Sequence, residues 1–393
     1  MDALDRAFFF KITRYAMALS SMFIGYGLIQ PLLSLYTSSF GASYLLIGGI
    51  VSTIGLVKAG IGPVSGFMSD MYGRKKMAAL GAFSVSLSIL TVTLAQAVPH
   101  LVAAFVLYGF GQAFFLLAIM TSMVEVAGPT RRALVLGLYE GINGFSLLFG
   151  TWLSGFLSEG LGVRPVFGIA AAFSFVSFLS CMFLVRETIV QGPGAGLFEL
   201  RGLWEILSRE YVTAMYSAFL FMYTHSLYLT VIPLYTTLMV RIPDGFLPVL
   251  FMGLSGATAL GSLIAGPVSD RVGRKVPMAA GMVVAASSFV ALYLSASQVV
   301  LMTASLALGF GSGFFHPVAS AVVADISTID NRGKAFGFYR LLRDLGSFAG
   351  PAVAGVVTSL LGVRAFFIFN SILVIVGAFL ALFAKREKHV QDL

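Results

Sequence analysis

The sequence predicts an all-α polytopic membrane protein of twelve transmembrane helices arranged as two pseudo-symmetric six-helix bundles. Three observations carry this. Hydrophobic residues make up 58% of the 393-residue chain and Asp, Glu, Lys and Arg only 11%, whereas a soluble domain carries about 25% charged residues. Apolar runs of the roughly 20 residues needed to cross the hydrocarbon layer recur along the whole length. One charged loop is also written twice, as GFMSDMYGRKK at 66–76 and GPVSDRVGRKV at 266–276.

The spans follow in order. The first half offers 13–37, 44–67, 77–97, 101–126, 133–158 and 165–185. The second offers 211–239, 246–267, 277–297, 299–324, 335–360 and 365–384. Residues 1–186 thus form an N-terminal six-helix bundle and 211–393 a C-terminal one. The stretch 187–210 is a cytoplasmic linker, flexible at Gly192-Pro193-Gly194. There Leu197, Leu200, Leu203, Trp204 and Leu207 fall at helical spacing and predict a short interfacial helix. The N-terminal apolar stretch is too long for a cleavable signal.

The repeat extends past the loop at a constant offset. Arg132, Gly137, Tyr139, Gly150 and Gly155 return as Arg332, Gly337, Tyr339, Gly350 and Gly355, and Leu161-Gly162-Val163-Arg164 returns as Leu361-Gly362-Val363-Arg364. Glu125 returns as Asp325. Chance gives matched Leu and Phe in apolar sequence, but not matched Gly, Arg and Asp. Lys and Arg then set orientation: the two tails and five alternate loops hold 19, the opposite loops only Arg164, Arg241 and Arg364. Both termini are expected to face the cytoplasm, with the chain integral to the plasma membrane.

The repeated loop has a mechanical reading. Gly66 and Gly266 allow neighbouring helices to approach closely. Asp70 and Asp270 are placed to receive helix N-terminal amides or to pair with Arg74 and Arg274, with Glu125 and Asp325 as third members. Gly73 and Gly273 precede the arginines. Where the first copy has Met71 the second has Arg271, so the first network is expected to be the weaker.

Twelve spans in two parallel-related halves, with G-x-x-x-D-x-x-G-R-K between the second and third helices of each, resemble the major facilitator superfamily. The resemblance covers nearly the whole chain and implies alternating access: two halves rocking about a central site, with the loop networks latching the cytoplasmic side. It also implies a secondary carrier, with efflux of an amphipathic compound slightly ahead of movement of an anionic metabolite. Gly346, Gly350-Pro351 and Gly355 resemble an antiporter motif that the family carries on its fifth helix; here the better copy is on the eleventh.

Charges inside spans are costly and mark function. They are Lys58 on the second span, Glu140 on the fifth, and Arg340, Arg343 and Asp344 on the eleventh. All lie roughly 12–18 Å from the cytoplasmic ends at 1.5 Å per residue. Arg340 and Arg343, three apart, are placed to clamp a carboxylate or phosphate; their offset partners are Glu140 and Asn143. The resembling fold places the second helix against the eleventh, so Lys58 is expected to pair with Asp344. A titratable group removed from water suits proton coupling: Glu140 first, then Asp344, whose neighbour Arg343 would hold it ionised, then His316 and His225. The resemblance further implies a cavity lined by the first, fourth, seventh and tenth helices. They offer Tyr26, Gln30, Phe114, Phe115, Met120, Tyr223, His225, Tyr228, Phe314 and Phe315, an aromatic lining for bulky solutes.

Several classes are disfavoured. No P-loop is present, so ATP drive and enzyme activity are not expected. One cysteine, Cys181, and four scattered histidines leave no metal-ligand spacing, and no cofactor is expected. The net charge of +8 is scattered through short loops rather than gathered for nucleic acid. A channel needs a continuous polar pore and a sensor a sizeable soluble domain; neither is seen. The expected partners are a small solute, protons and the lipid bilayer, and the expected state is a monomer.

Overall fold

The structure, a computed structural model, describes residues 3–128, 131–188, 208–242, 245–327 and 332–383. The linker helix expected at 197–207 lies outside them. Among the described residues the chain is helical without strands. Ten helices are long and apolar enough to cross a membrane. One of these, α12 (Arg332–Phe383), holds two lengths joined at Gly362, and α1 (Ala3–Ile29) supplies a further 27-residue helix. Twelve lengths result, as the sequence predicts.

The boundaries differ from expectation where proline and glycine intervene. The first span is two helices, α1 and the six-residue α2 (Leu33–Ser38), because Pro31 lacks an N–H and its ring crowds the preceding turn. In sequence there follow α3 (Tyr44–Tyr72), α4 (Arg74–Thr93), α5 (Val98–Ala127), α6 (Arg132–Leu161) and α7 (Val163–Phe183). The second half has α8 (Arg209–Leu234), α9 (Phe246–Val272), α10 (Lys275–Leu294), α11 (Gln298–Ile326) and α12. After Pro233, α8 widens into a π-helical turn over Tyr235–Val240, closed by Arg241 at φ 56°.

The chain forms two compact units. The first comprises Met1–Leu197, Tyr228–Met252 and Pro351–Val356; the second comprises Phe198–Leu227, Gly253–Gly350 and Val357–Leu393. In the first, α4 packs on α5 and α7, α1 on α6 and α7, and α3 on α5. Lipid is as apolar as leucine, so helices in a bilayer associate through close backbone approach and hydrogen bonds. Both devices are used. A methyl built on Gly81 would meet the Phe115 nitrogen at 2.5 Å and the Gly111 carbonyl at 2.6 Å. Ser88 donates to the Ala104 carbonyl at 2.6 Å, Ser154 to Leu28 at 2.7 Å and Ser177 to Ala18 at 2.7 Å.

The second unit repeats these contacts. Gly281 lies against Gly311 as Gly81 lies against Gly111, and Gly309 lies against Leu254 as Gly109 lies against Ile54. One contact is reproduced with its polarity reversed: Ser86 donates to the Ala171 carbonyl, whereas at the equivalent positions Ser371 donates to Ala286. The duplicated sequence is therefore a duplicated structure.

Candidate functional site

In the first unit the charged loop closes on Arg74. Its guanidinium reaches Asp70 Oδ1 at 2.8 Å, Glu125 Oε1 at 3.0 Å and Ser69 Oγ at 3.3 Å. Asp70 sits one turn before Arg74, and Glu125 closes α5, so three elements converge on one cation. The second unit builds the same set. Arg274 reaches Asp270 at 2.5 Å, Ser269 at 2.8 Å and Asp325 at 3.0 Å. Burial opposes its charge, but the carboxylates of Asp325 and Asp270 outweigh this and raise its pKa above the ordinary arginine value. Met71 and Arg271 are both exposed, and neither enters a network. The Asp70 and Ser69 contacts of the first copy are longer than the Asp270 and Ser269 contacts of the second.

The first loop holds a residue the sequence reading missed. Glu187, just past α7, accepts from the Arg74 backbone N–H at 2.8 Å (Oε1) and from Lys75 at 3.2 Å (Oε2). Those amides open α4 and have no partner within the helix, so the carboxylate satisfies them and meets the positive end of the helix dipole. Thr188, next in sequence, donates to Glu125 and ties this cap to the Arg74 network. Gly73 makes the approach feasible. Its φ is 102°, and a methyl there would overlap the Glu187 carboxylate, with Cδ at 2.8 Å. Gly66, read as a close-packing position, would meet only Leu117 at 3.5 Å, and Gly266 meets nothing within 4 Å among the described residues.

At the opposite end of the first unit, roughly 37 Å along α3 from Gly73, glycine brings backbones together. A methyl on Gly48 would strike the Pro351 carbonyl and lie 2.9 Å from Gly355 Cα, while one on Gly155 would lie 2.8 Å from Pro248 Cβ. Ser34 donates to the Leu229 carbonyl at 3.0 Å. Pro351 and Gly355 of the motif thus pack directly on α3, while Gly350 packs on Tyr223 and Leu227 of α8.

The intramembrane charges are placed as follows. Lys58 is buried, with 7% of its surface exposed. Glu140 lies at the protein surface of the membrane-spanning α6, and Asn143 is partly buried there. Asp344 is buried, and its Oδ2 lies 4.0 Å from Arg340 Nε, one turn away. Arg340 and Arg343 lie three residues apart on α12, the first beside Asp344 and the second one turn beyond Tyr339.

The aromatic candidates are largely packing residues. Tyr223 and Tyr228 are each 1% exposed; Tyr223 donates to Asn370 Oδ1 at 2.7 Å, and Tyr228 meets the Phe251 ring edge-on at 5.4 Å. Phe114, Phe115 and Phe315 are fully buried, and Gln30 is 3% exposed. Tyr26 remains partly open, 6.2 Å from the Tyr108 ring, whose hydroxyl accepts from Gln112 at 2.9 Å. His225 stacks on Phe221 at 6.3 Å. His316 bonds Tyr339 at 3.0 Å.

A doubled Arg–Asp–Glu/Asp loop in a doubled helical bundle matches a known profile. The profile described as Major Facilitator Superfamily covers residues 15–257 and 245–392. The chain belongs to this superfamily. It is 25% identical to Multidrug resistance protein MdtG of Dickeya zeae (strain Ech586), over 98% of this chain and 97% of that protein. It is 23% identical to Multidrug resistance protein 2 of Bacillus subtilis (strain 168), over 96% of each. Among solved structures, a bacterial homolog to the human lysosomal transporter Spinster, inward-facing and unoccupied, superposes with a TM-score of 0.81 at 14% identity, covering 96% of each chain.

As a superfamily member the chain is an integral membrane transporter of small solutes and not an enzyme. The residues missed by sequence reasoning carried a signal of the same kind as the loop. Arg186-Glu187 has its offset counterpart in Arg386-Glu387, the latter outside the described residues. Asn370, the partner of Tyr223, carried none: its offset equivalent is Ala170.

Proposed function

We propose that this chain is a proton-coupled efflux carrier, moving a small amphipathic organic solute by alternating access. The observation that carries the reading is the near-complete alignment with proteins named for multidrug resistance, from two distinct bacteria. The halves 1–186 and 211–393 act as the moving bodies of a monomer in the cytoplasmic membrane, with both termini and both charged loops on the cytoplasmic side. The paired networks of Arg74 and Arg274 support a latch. Each gathers two carboxylates from different elements at a helix junction, where a change of helix angle would part them. The Gly48–Pro351 packing supports a second closure at the other end, because backbones so close must separate before that end opens.

Glu140 is the proton carrier in this reading. It is a carboxylate on a membrane-spanning helix, where a charge is costly and marks function. The test is transport in proteoliposomes of the lipophilic cation ethidium under an imposed pH gradient. Glu140→Gln should abolish gradient-driven accumulation yet leave ethidium exchange. Unaltered accumulation would remove Glu140 from the mechanism, and absence of any ethidium flux in the native chain would remove the efflux reading.

A further inference from the structure

The second unit contains a cation and an aromatic wall that neither loop network uses. Arg343 lies one turn beyond Tyr339 on α12. Its Nε is buried and has no hydrogen-bond partner. A guanidinium offers five donors and stays charged, so burying it inside a membrane span is costly unless an acceptor meets it. Its charge acts on His316 and Tyr339, neither of which is an anion. They are also committed to each other: His316 Nδ1 and the Tyr339 hydroxyl are 3.0 Å apart, and that hydroxyl also faces the His316 carbonyl at 3.4 Å. Asp344, the adjacent carboxylate, is in the ion pair with Arg340.

The wall is built from the same residues. The Phe221 ring of α8 lies on the His316 imidazole with centroids 3.9 Å apart, and His316 and Tyr339 are near-parallel at 6.2 Å. Pro317, next to His316 inside α11, leaves the Gly313 carbonyl without its helical donor, and Ser262 donates to it at 3.1 Å; the Tyr339 hydroxyl faces the His316 carbonyl. The hydrogen bond fixes the His316 ring against Tyr339, and Phe221 packs on it at a tilt of 36°, so the three form a held aromatic surface.

We infer that Arg343, backed by the Phe221–His316–Tyr339 stack, is the recognition site for an anionic group on a flat aromatic solute, an aryl carboxylate in the simplest case. This rests on the reading of the chain as a carrier of small organic solutes and adds the charge and shape of what it takes. The guanidinium would hold the carboxylate through paired N–H···O bonds and the stack would take the ring. The helix position agrees with the sequence: Asn143 stands at the equivalent place in the first half, so the positive charge is particular to the second.

The test measures binding of 2-naphthoate and of its uncharged isostere 2-naphthamide to the purified full-length chain in lipid-free detergent, by calorimetry. Losing a charge-assisted bond costs binding about 10- to 100-fold, so naphthoate should bind that much more tightly than the amide. Arg343→Gln should erase the preference, and Arg343→Lys should keep part of it. If the Gln variant fails to fold, as judged by helical circular dichroism, the Lys variant and the acid–amide comparison decide alone. Equal binding of acid and amide, an undiminished preference in Arg343→Gln, or no naphthoate binding at all would overturn the assignment. So would displacement of naphthoate by phosphatidylglycerol at comparable concentration, which would give the site to a lipid headgroup. Ethidium flux is scored separately. A chain that moves ethidium but ignores naphthoate loses only this inference, and one that binds naphthoate without ethidium flux loses the efflux reading.

Discussion

The Glu187 cap makes a quantitative prediction through Gly73. Replacing Gly73 with alanine does two things at once. It forces a side chain into a backbone conformation at φ 102° that is almost reserved for glycine, which costs about 1–3 kcal/mol. It also pushes the Glu187 carboxylate aside, because the new methyl would occupy its position. That carboxylate is the flexible end of a side chain, so it moves easily, but the Arg74 and Lys75 amides then lose their acceptor. An N-terminal cap is worth about 1 kcal/mol. Gly73→Ala should therefore cost about 2–4 kcal/mol and Glu187→Ala about 1 kcal/mol. The double variant should cost no more than Gly73→Ala alone, since the cap can be lost only once. The assay is unfolding of the four proteins by sodium dodecyl sulfate in mixed micelles, analysed as a double-mutant cycle. A coupling of about 1 kcal/mol is expected. Additivity within about 0.3 kcal/mol would refute the cap, because it would mean that Glu187 contributes nothing that the methyl displaces.

Two further outcomes follow from the loop and the far end. Asp70→Asn keeps the shape of the Arg74 network and leaves Glu125 in place, so the protein should express and insert normally while transport falls several-fold; unchanged ethidium flux would take the latch role from this loop. Gly48→Leu meets backbone atoms of Pro351 and Gly355, which have no flexible end to give way; it should suppress flux by at least about tenfold, and native flux in this variant would show that the close packing is dispensable.

How much of this was legible in the sequence depends on what each residue has to do locally. The matched glycines were legible because backbone geometry leaves no substitute. Gly73 and Gly273 sit at φ 102° and 86°, Gly162 and Gly362 at 81° and 82°, and each joins two helices that could not turn otherwise. The charged loops were legible for a similar reason, since polar side chains beside apolar spans have few partners and the repeat named them twice. The faces of the helices were not legible. In water an apolar stripe marks the buried side, but a transmembrane helix is apolar toward lipid and toward protein alike, so periodicity carries little information. Tyr223 and Tyr228, read as cavity residues, are each 1% exposed, and Tyr223 is bonded to an asparagine with no echo in the other half.

The same reasoning explains where divergence between the halves is informative and where it is idle. Met71 against Arg271 is a difference at two exposed positions. Asn143 against Arg343 is a difference at a partly buried position, where adding a guanidinium creates donors that must be met. Duplication gives both halves one scaffold and one set of turns, and the cost of burying a charge then sorts the later substitutions. An exposed charge is tolerated without a partner, so its gain or loss says little. A buried one persists only with a partner, which is why the unpartnered Arg343 Nε supports the proposed anion site.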